Sequence, residues 1–72
     1  MKLSYYPETD SLYIELCDVM GAEVREIAPG FNADIDQLGQ IVGIDIDHAS
    51  SFIDLTTIEI TGIPRHVITN NM

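Results

Sequence analysis

The strict alternation of apolar and polar residues across residues 31–47, FNADIDQLGQIVGIDID, constrains the fold of this chain more than any other feature. Two alternating runs flank Leu38 and Gly39, an arrangement that is typical of a tight β-hairpin. If these two residues form the loop, every inward pair joins two apolar side chains: Ile35 with Val42, Ala33 with Ile44, and Phe31 with Ile46. One register therefore places six apolar side chains on one face, and we predict this hairpin.

A second hairpin is predicted at the start of the chain, where residues 2–6 and 11–17 alternate around the turn-forming sequence PETD. With Tyr6 opposite Ser11, the inward pairs are again apolar: Tyr5 with Leu12, Leu3 with Ile14, and Met1 with Leu16. On the other face Lys2 lies opposite Glu15, which is a favourable opposite-charge pair. Both faces therefore support the same register.

The remaining segments predict one more strand and a short helix. Residues 23–27 form the third strand, between a turn at 18–22 and a break at Pro29 and Gly30. After residue 47 the period changes, and the capping-box spacing of Ser51 and Asp54 predicts a helix over residues 50–55. Residues 56–63 are left open between strand, helix and irregular structure, and residues 65–72 are predicted to be a loose tail.

Together these elements predict a single small domain of the α+β class, mostly β. It is an antiparallel β-meander of about five strands, with one short C-terminal helix packed on the sheet. A chain of 72 residues buries only about 60% of its unfolded surface. Cys17 is the only cysteine, so no internal disulfide can add stability. We therefore expect a homodimer or a larger homo-oligomer.

The charge of the chain favours some partners and disfavours others. Twelve acidic residues against three basic ones give a formal net charge of −9. Direct nucleic-acid binding is not expected, because it normally needs a basic surface. The acidity indicates either solubility alone or attraction to a basic partner. The N-terminus lacks the apolar run of a signal peptide, and no stretch is long enough for a membrane span, so we expect a cytoplasmic protein.

Four short sequences carry a resemblance to a known family: the opening YYPETDSLYI, the break at Gly30, Val42-Gly43-Ile44, and Ala49-Ser50. Over residues 2–55 they resemble the small bacterial and archaeal family of domains of unknown function numbered 2283. Members usually carry an Asp-Gly or Asn-containing turn where this chain has Leu38-Gly39. The resemblance implies no established activity and no catalytic residues. Because members are often similar to small proteins encoded beside a toxin-like protein, it also implies an antitoxin-like role.

Several residues are candidates for a site of chemistry. Asp45, Asp47 and His48 form a weak candidate for a metal-binding or acid–base cluster, although a surface role is favoured because no nucleophile or further ligand accompanies them. Asp34, Asp36, Gly39 and Asp45 match part of the spacing of a calcium loop, but Leu38 and Val42 occupy ligand positions. Ser50 is predicted to cap the helix, and Cys17 is predicted to be inert. No metal, cofactor or catalytic residue is predicted.

The candidate interaction surface consists of Tyr6, Tyr13 and Glu15, which share the less apolar face of the first hairpin. Exposed aromatic side chains are enriched at protein contacts, although the C-terminal segment could instead cover these. The favoured function is a small non-enzymatic protein-interaction module, antitoxin-like towards a basic partner. Two alternatives remain: a metal- or ligand-binding domain or enzyme using Asp45, Asp47 and His48, and a purely structural homodimer.

Overall fold

A computed structural model describes residues 1–65 and 67–69 of the chain. These residues form five strands and one turn of 3₁₀ helix. The elements are β1 (Lys2–Tyr6), β2 (Ser11–Glu15), β3 (Glu23–Ala28), β4 (Phe31–Ile35), β5 (Ile41–Ile46) and the 3₁₀ turn Ala49–Ser51. All strand pairs are antiparallel and belong to one sheet. The prediction of a mostly β, five-stranded antiparallel sheet is confirmed.

The order of the strands in the sheet is β1-β2-β5-β4-β3, so the predicted meander is wrong. A meander would place β3 beside β2, whereas β2 pairs with β5. This pairing sets Leu12 opposite Ile46 and Ile14 opposite Ile44, which joins the apolar faces of the two hairpins. If β3 paired with β2 instead, it would bring charged side chains to this apolar face. Arg25 lies on that face, because it is opposite Ala33. Hydrophobic burial therefore places β5 in the centre and β3 at the edge.

The register of the first hairpin is the predicted one, from Lys2 opposite Glu15 to Tyr6 opposite Ser11. The connecting turn begins with a hydrogen bond from the Thr9 amide to the Tyr6 carbonyl. It ends at Asp10, whose φ of 52° lies in the left-handed region. Aspartate tolerates this conformation better than most residues, so the turn suits its sequence.

The second hairpin keeps the predicted register over most of its length and departs from it near the turn. Phe31 lies opposite Ile46 and Ala33 opposite Ile44, as predicted. The Ile35–Val42 pair is wrong, because the register shifts after Asp34 and Ile35 lies opposite Ile41. The extra residue on β5 is a β-bulge, and it compensates for a loop that is one residue longer than expected.

That loop contains three residues rather than two. The Asp36 amide donates to the Gln40 carbonyl, and the Gly39 amide donates to the Asp36 carbonyl. The Asp36 carboxylate also accepts hydrogen bonds from the amides of Leu38 and Gln40, each at 2.9 Å. Gly39 takes the left-handed position with φ of 82°. Leu38 therefore needs no positive φ, which explains how leucine is tolerated in this turn.

The core lies on one face of the sheet, which we call the core face. Its buried strand residues are Leu12, Ala33, Ile35, Val42 and Ile46. The segment after β5 crosses this face, where buried Ala49 and partly buried Ile53 and Leu55 pack against Leu12 and Ile46. The ring of Phe52 lies 5.3 Å from that of Phe31, centroid to centroid. The C-terminal segment thus covers the sheet, as expected, but without a helix.

The predicted helix over residues 50–55 is not found, because its capping groups bond elsewhere. The Asp54 carboxylate accepts hydrogen bonds from the Thr56 amide and hydroxyl, instead of reaching back towards Ser51. Residues 56–63 contain neither helix nor strand, in agreement with the irregular alternative. Of the predicted tail over residues 65–72, positions 66 and 70–72 lie outside the described residues. Within the described ranges, no helix is long and apolar enough to cross a membrane.

Candidate functional site

The face of the sheet opposite the core is polar, and we call it the polar face. Alternation and register place on it the residues Lys2, Ser4, Tyr6, Ser11, Tyr13, Glu15, Val24, Glu26, Asn32, Asp34, Gly43 and Asp45. Asp47 continues this face beyond β5, where its carboxylate accepts a hydrogen bond from the Asn32 side-chain amide at 3.3 Å. Neither β4 nor β5 contains a lysine or arginine. The centre of the polar face is therefore acidic.

A hydrogen bond between Tyr13 and Asp34 spans the centre of the polar face. The Tyr13 hydroxyl on β2 donates to the Asp34 carboxylate on β4 at 2.5 Å, across the intervening strand β5. This hydrogen bond, with partial burial and nearby negative charge, raises the pKa of Tyr13 to about 12. The phenol therefore stays protonated and acts as a donor throughout the physiological pH range.

Gly43 makes this bond possible, because the Tyr13 ring lies directly over it. A Cβ atom at position 43 would overlap the Tyr13 hydroxyl and lie 2.8 Å from its Cζ atom. A glycine inside a strand commonly marks such a close approach. The alternation of residues did not predict the Tyr13–Asp34 bond. The isolated Gly43 was the one feature of the sequence that could have indicated it.

Asp34, Asp45 and Asp47 form an acidic cluster on the polar face. Partial burial raises the pKa of Asp45, and the negative charges of Asp47 and Asp34 raise it further. The ion pair between Arg25 and Glu23 lies away from this cluster, on the exposed strand β3. The acidic cluster therefore carries negative charge that nearby lysine or arginine side chains do not balance.

A second polar network joins the first turn to the segment after β5. The Asp10 carboxylate accepts hydrogen bonds from the Tyr5 hydroxyl at 2.8 Å, the Ser50 hydroxyl at 2.6 Å and the Ser50 amide at 3.1 Å. The Ala49 amide donates to the Asp10 carbonyl. The hydrogen bonds from Ser50 and Tyr5 lower the pKa of Asp10. Ser50 therefore ties two distant segments together, and its predicted role as a helix cap is wrong.

The residues of the predicted interaction surface share one face, as the register requires. Tyr6 is half exposed, whereas Tyr13 and Glu15 are only partly exposed. The Tyr13 hydroxyl is engaged by Asp34, so it is the face of its ring that remains for a contact. Glu15 lies opposite Lys2, which is the predicted opposite-charge pair. Cys17 is exposed.

The weaker candidate cluster is only partly brought together. Asp45 and Asp47 are neighbours on the polar face, where the negative charge of Asp47 adds to the effect of partial burial in raising the pKa of Asp45. His48 adopts a left-handed backbone conformation at the start of the 3₁₀ turn, and its charge acts on Asp10 instead. Within residues 1–65 and 67–69, no three His, Cys, Asp or Glu side chains lie in an arrangement that could hold a metal ion.

Comparison with known proteins identifies a family. The family model described as "Protein of unknown function (DUF2283)" matches residues 2–50, which is more than half of the chain. The matched region includes the hydrogen bond between Ser50 and Asp10. It also includes Tyr13 and Gly43, over which the Tyr13 ring lies. No match was found among curated proteins or among solved structures. The chain therefore belongs to the DUF2283 family of proteins of unknown function.

Proposed function

We propose that this protein is a small non-enzymatic interaction module whose polar face binds a basic partner, as an antitoxin-like protein would. The observation that carries the proposal is the acidic cluster of Asp34, Asp45 and Asp47, in which partial burial and then the neighbouring negative charges raise the pKa of Asp45. Lysine or arginine side chains of a partner would relieve this repulsion. The half-exposed Tyr6 lies on the same face and supplies an aromatic contact.

The charge of the whole chain supports the same kind of partner. A net charge of −9 accelerates the approach of a basic protein and slows that of an acidic one. Exposed charges are screened by salt, so binding through this face weakens as ionic strength rises. A partner held mainly by apolar contacts would not show this dependence.

The direct test is titration with a fluorescent peptide rich in lysine and arginine. We compare the wild type with the double variant Asp45→Asn, Asp47→Asn, which removes two charges from the polar face. The matched control is Glu8→Gln, Glu59→Gln, which removes two charges from exposed positions outside the sheet. We expect the first variant to lose at least about tenfold in affinity and the control to lose much less. Equal losses in both variants would contradict the proposal.

Co-purification with the product of the neighbouring gene tests the antitoxin-like part of the proposal. Tagged wild type and the Asp45→Asn, Asp47→Asn variant are expressed with that protein, and the retained amounts are compared. We expect the wild type to retain it and the variant to retain much less. Retention that is insensitive to the two substitutions would place the contact elsewhere on the molecule and contradict the use of this face.

The alternative of a metal- or ligand-binding domain using Asp45, Asp47 and His48 stays a prediction, and the same double variant tests it. A ligand that binds the folded state raises the melting temperature. A rise with divalent ions that disappears in the Asp45→Asn, Asp47→Asn variant would favour this alternative. A dimer that binds neither the basic peptide nor divalent ions would favour the purely structural homodimer.

A further inference from the structure

The two edges of the sheet, β1 and β3, differ sharply in chemistry. β3 carries three charged residues among six, contains a register irregularity between Glu26 and Ala28, and is followed by Pro29. Charges, bulges and prolines are features that block pairing at sheet edges. β1 carries one charge among five residues and pairs with β2 in an unbroken register. Of the two edges, only β1 is both regular and largely uncharged.

The apolar side chains of β1 are incompletely covered. Leu3 and Tyr5 lie on the core face and are each 43% exposed, although they neighbour Ile14 and buried Leu12 across the hairpin. Tyr6 on the polar face is 51% exposed. The apolar surface of the core thus continues to β1, where the described sheet ends with no strand paired on its outer side.

Symmetry limits how two such edges can join. A twofold axis perpendicular to the sheet makes the two strands antiparallel and keeps the core face of one copy beside the core face of the other. In such a pair, two residues that lie directly opposite each other have their side chains on the same face of the sheet. The axis must therefore pass through a position where a residue of one copy lies opposite the same residue of the second copy. This condition leaves few registers for a short strand.

For β1, the axis at Ser4 satisfies the condition and uses the whole strand. Ser4 is the middle residue of Lys2–Tyr6, so all five residues find partners. Each copy then sets Leu3 opposite Tyr5 of the second copy on the core face, and Lys2 opposite Tyr6 of the second copy on the polar face. The first pair extends the core, and the second brings an ammonium group beside an aromatic ring. No like charges are opposed.

For β3, the equivalent registers are unfavourable. An axis at Arg25 opposes two arginines, and an axis at Glu26 opposes two glutamates, both of which destabilise the pairing. An axis at Val24 would pair Arg25 with Glu23 but would engage only three residues of the strand. The chain charge of −9 adds to this difference, because the charged residue on β1 is a lysine whereas β3 carries two glutamates.

We infer that β1 is a homodimerisation edge, which pairs antiparallel with β1 of a second copy about a twofold axis at Ser4. The product is a continuous ten-stranded sheet with a single extended core. Both polar faces lie on the same side of this sheet, so the dimer presents two acidic clusters in one direction. The interface is separate from the acidic cluster, and the dimer forms whether or not a basic partner binds.

The test combines sedimentation equilibrium with site-directed cross-linking in a Cys17→Ser background. Directly opposed residues have Cβ atoms about 4.5–5.5 Å apart, within reach of a disulfide or a short bis-maleimide. We expect a dimer at low micromolar concentration, with cross-linking in the Ser4→Cys variant. The matched control is Val24→Cys on the polar face of β3, where we expect no cross-linked dimer. A monomer of 8.0 kDa, or cross-linking at Val24 rather than Ser4, would overturn the inference.

A second pair of variants tests the register by charge. Ser4→Glu opposes two carboxylates at the axis and should weaken the dimer at least about tenfold. Val24→Glu adds the same charge to β3 and should leave the dimer unchanged. Far-UV circular dichroism establishes that each variant is folded before its association is measured. A folded Ser4→Glu variant that dimerises like the wild type would refute the β1 interface, while leaving the binding of a basic peptide to the acidic cluster unaffected.

Discussion

The core face and the polar face arise from the same alternation of residues, yet they are held together by different forces. The core face buries Leu12, Ile46 and their neighbours under the segment that includes Ala49. The polar face carries the hydrogen bond from Tyr13 to Asp34 across three strands, a longer one from Asn32 to Asp47, and the mutual repulsion of the acidic cluster. The core face therefore supplies most of the stability, whereas the titratable groups of the polar face make that stability depend on pH.

Truncation within the core should have the largest effect. Ile46 is 4% exposed at the junction of the two hairpins and the C-terminal segment, so Ile46→Ala should lower the free energy of unfolding by about 2–5 kcal/mol. Ile44 lies on the same strand but is only half-buried, and its replacement by alanine should cost less. Urea denaturation measures both. The exposed Ile58→Ala is the control, and a loss at Ile58 equal to that at Ile46 would refute the assignment of the core.

The next effect tests whether the polar face depends on Gly43. In Gly43→Ala the new methyl group would overlap the Tyr13 ring, so the ring must move and the bond to Asp34 is lost. We expect a loss of about 1–3 kcal/mol, in the range of other overpacking substitutions. Removing the ring should abolish the conflict, so Gly43→Ala should cost much less in a Tyr13→Ala background. A cost that is equal in both backgrounds in urea denaturation would contradict the close approach.

A smaller effect is expected from the Tyr13 hydroxyl alone. Tyr13→Phe keeps the ring over Gly43 but removes the donor to Asp34, and should cost about 0.5–1.5 kcal/mol. The folded pKa of Tyr13 is raised from 10.0 to about 12, so its contribution is complete below pH 10 and is lost as pH rises through 12. Thermal melting across this range should therefore show the two proteins converging. A difference that stays constant would argue against the hydrogen bond.

The smallest effects distinguish two carboxylates whose pKa values shift in opposite directions. The pKa of Asp45 is raised above 3.8, so its contribution is most favourable below that pH and is lost as pH rises through the folded pKa. The pKa of Asp10 is lowered, so its contribution is present above pH 3.8 and is lost as pH falls through the folded pKa.

Asparagine substitutions convert this contrast into a measurement. At neutral pH, Asp45→Asn should raise the melting temperature and Asp10→Asn should lower it. Asparagine tolerates the left-handed backbone at position 10, so the second change tests the carboxylate and not the turn. Both differences should diminish in acid, once the carboxylates are protonated. Shifts of the same sign at neutral pH would show that the two networks do not differ electrostatically.

The sequence predicted the hairpins better than their assembly. The register of β1 with β2 followed from local alternation and is confirmed throughout. In the second hairpin, alternation predicted four aligned positions but not the bulge near Ile35, because the pattern contains no signal for a loop of three residues. The capping-box spacing of Ser51 and Asp54 predicted a helix that a competing bond to Thr56 prevents.

The features that follow from the sequence are local: the strands, the register of the first hairpin, most of the register of the second, and the division of each strand into an apolar and a polar side. These follow from the two-residue period, which operates between neighbours in the chain. The strand order, the bond between Tyr13 and Asp34, and the network of Asp10 with Ser50 depend instead on the packing of the whole sheet. These bonds join residues 21 and 40 positions apart. Such contacts depend on which strands become neighbours, and this is decided by the arrangement that buries the most apolar surface. The alternation within one strand cannot specify its neighbour, because the alternation is the same whichever strand lies beside it.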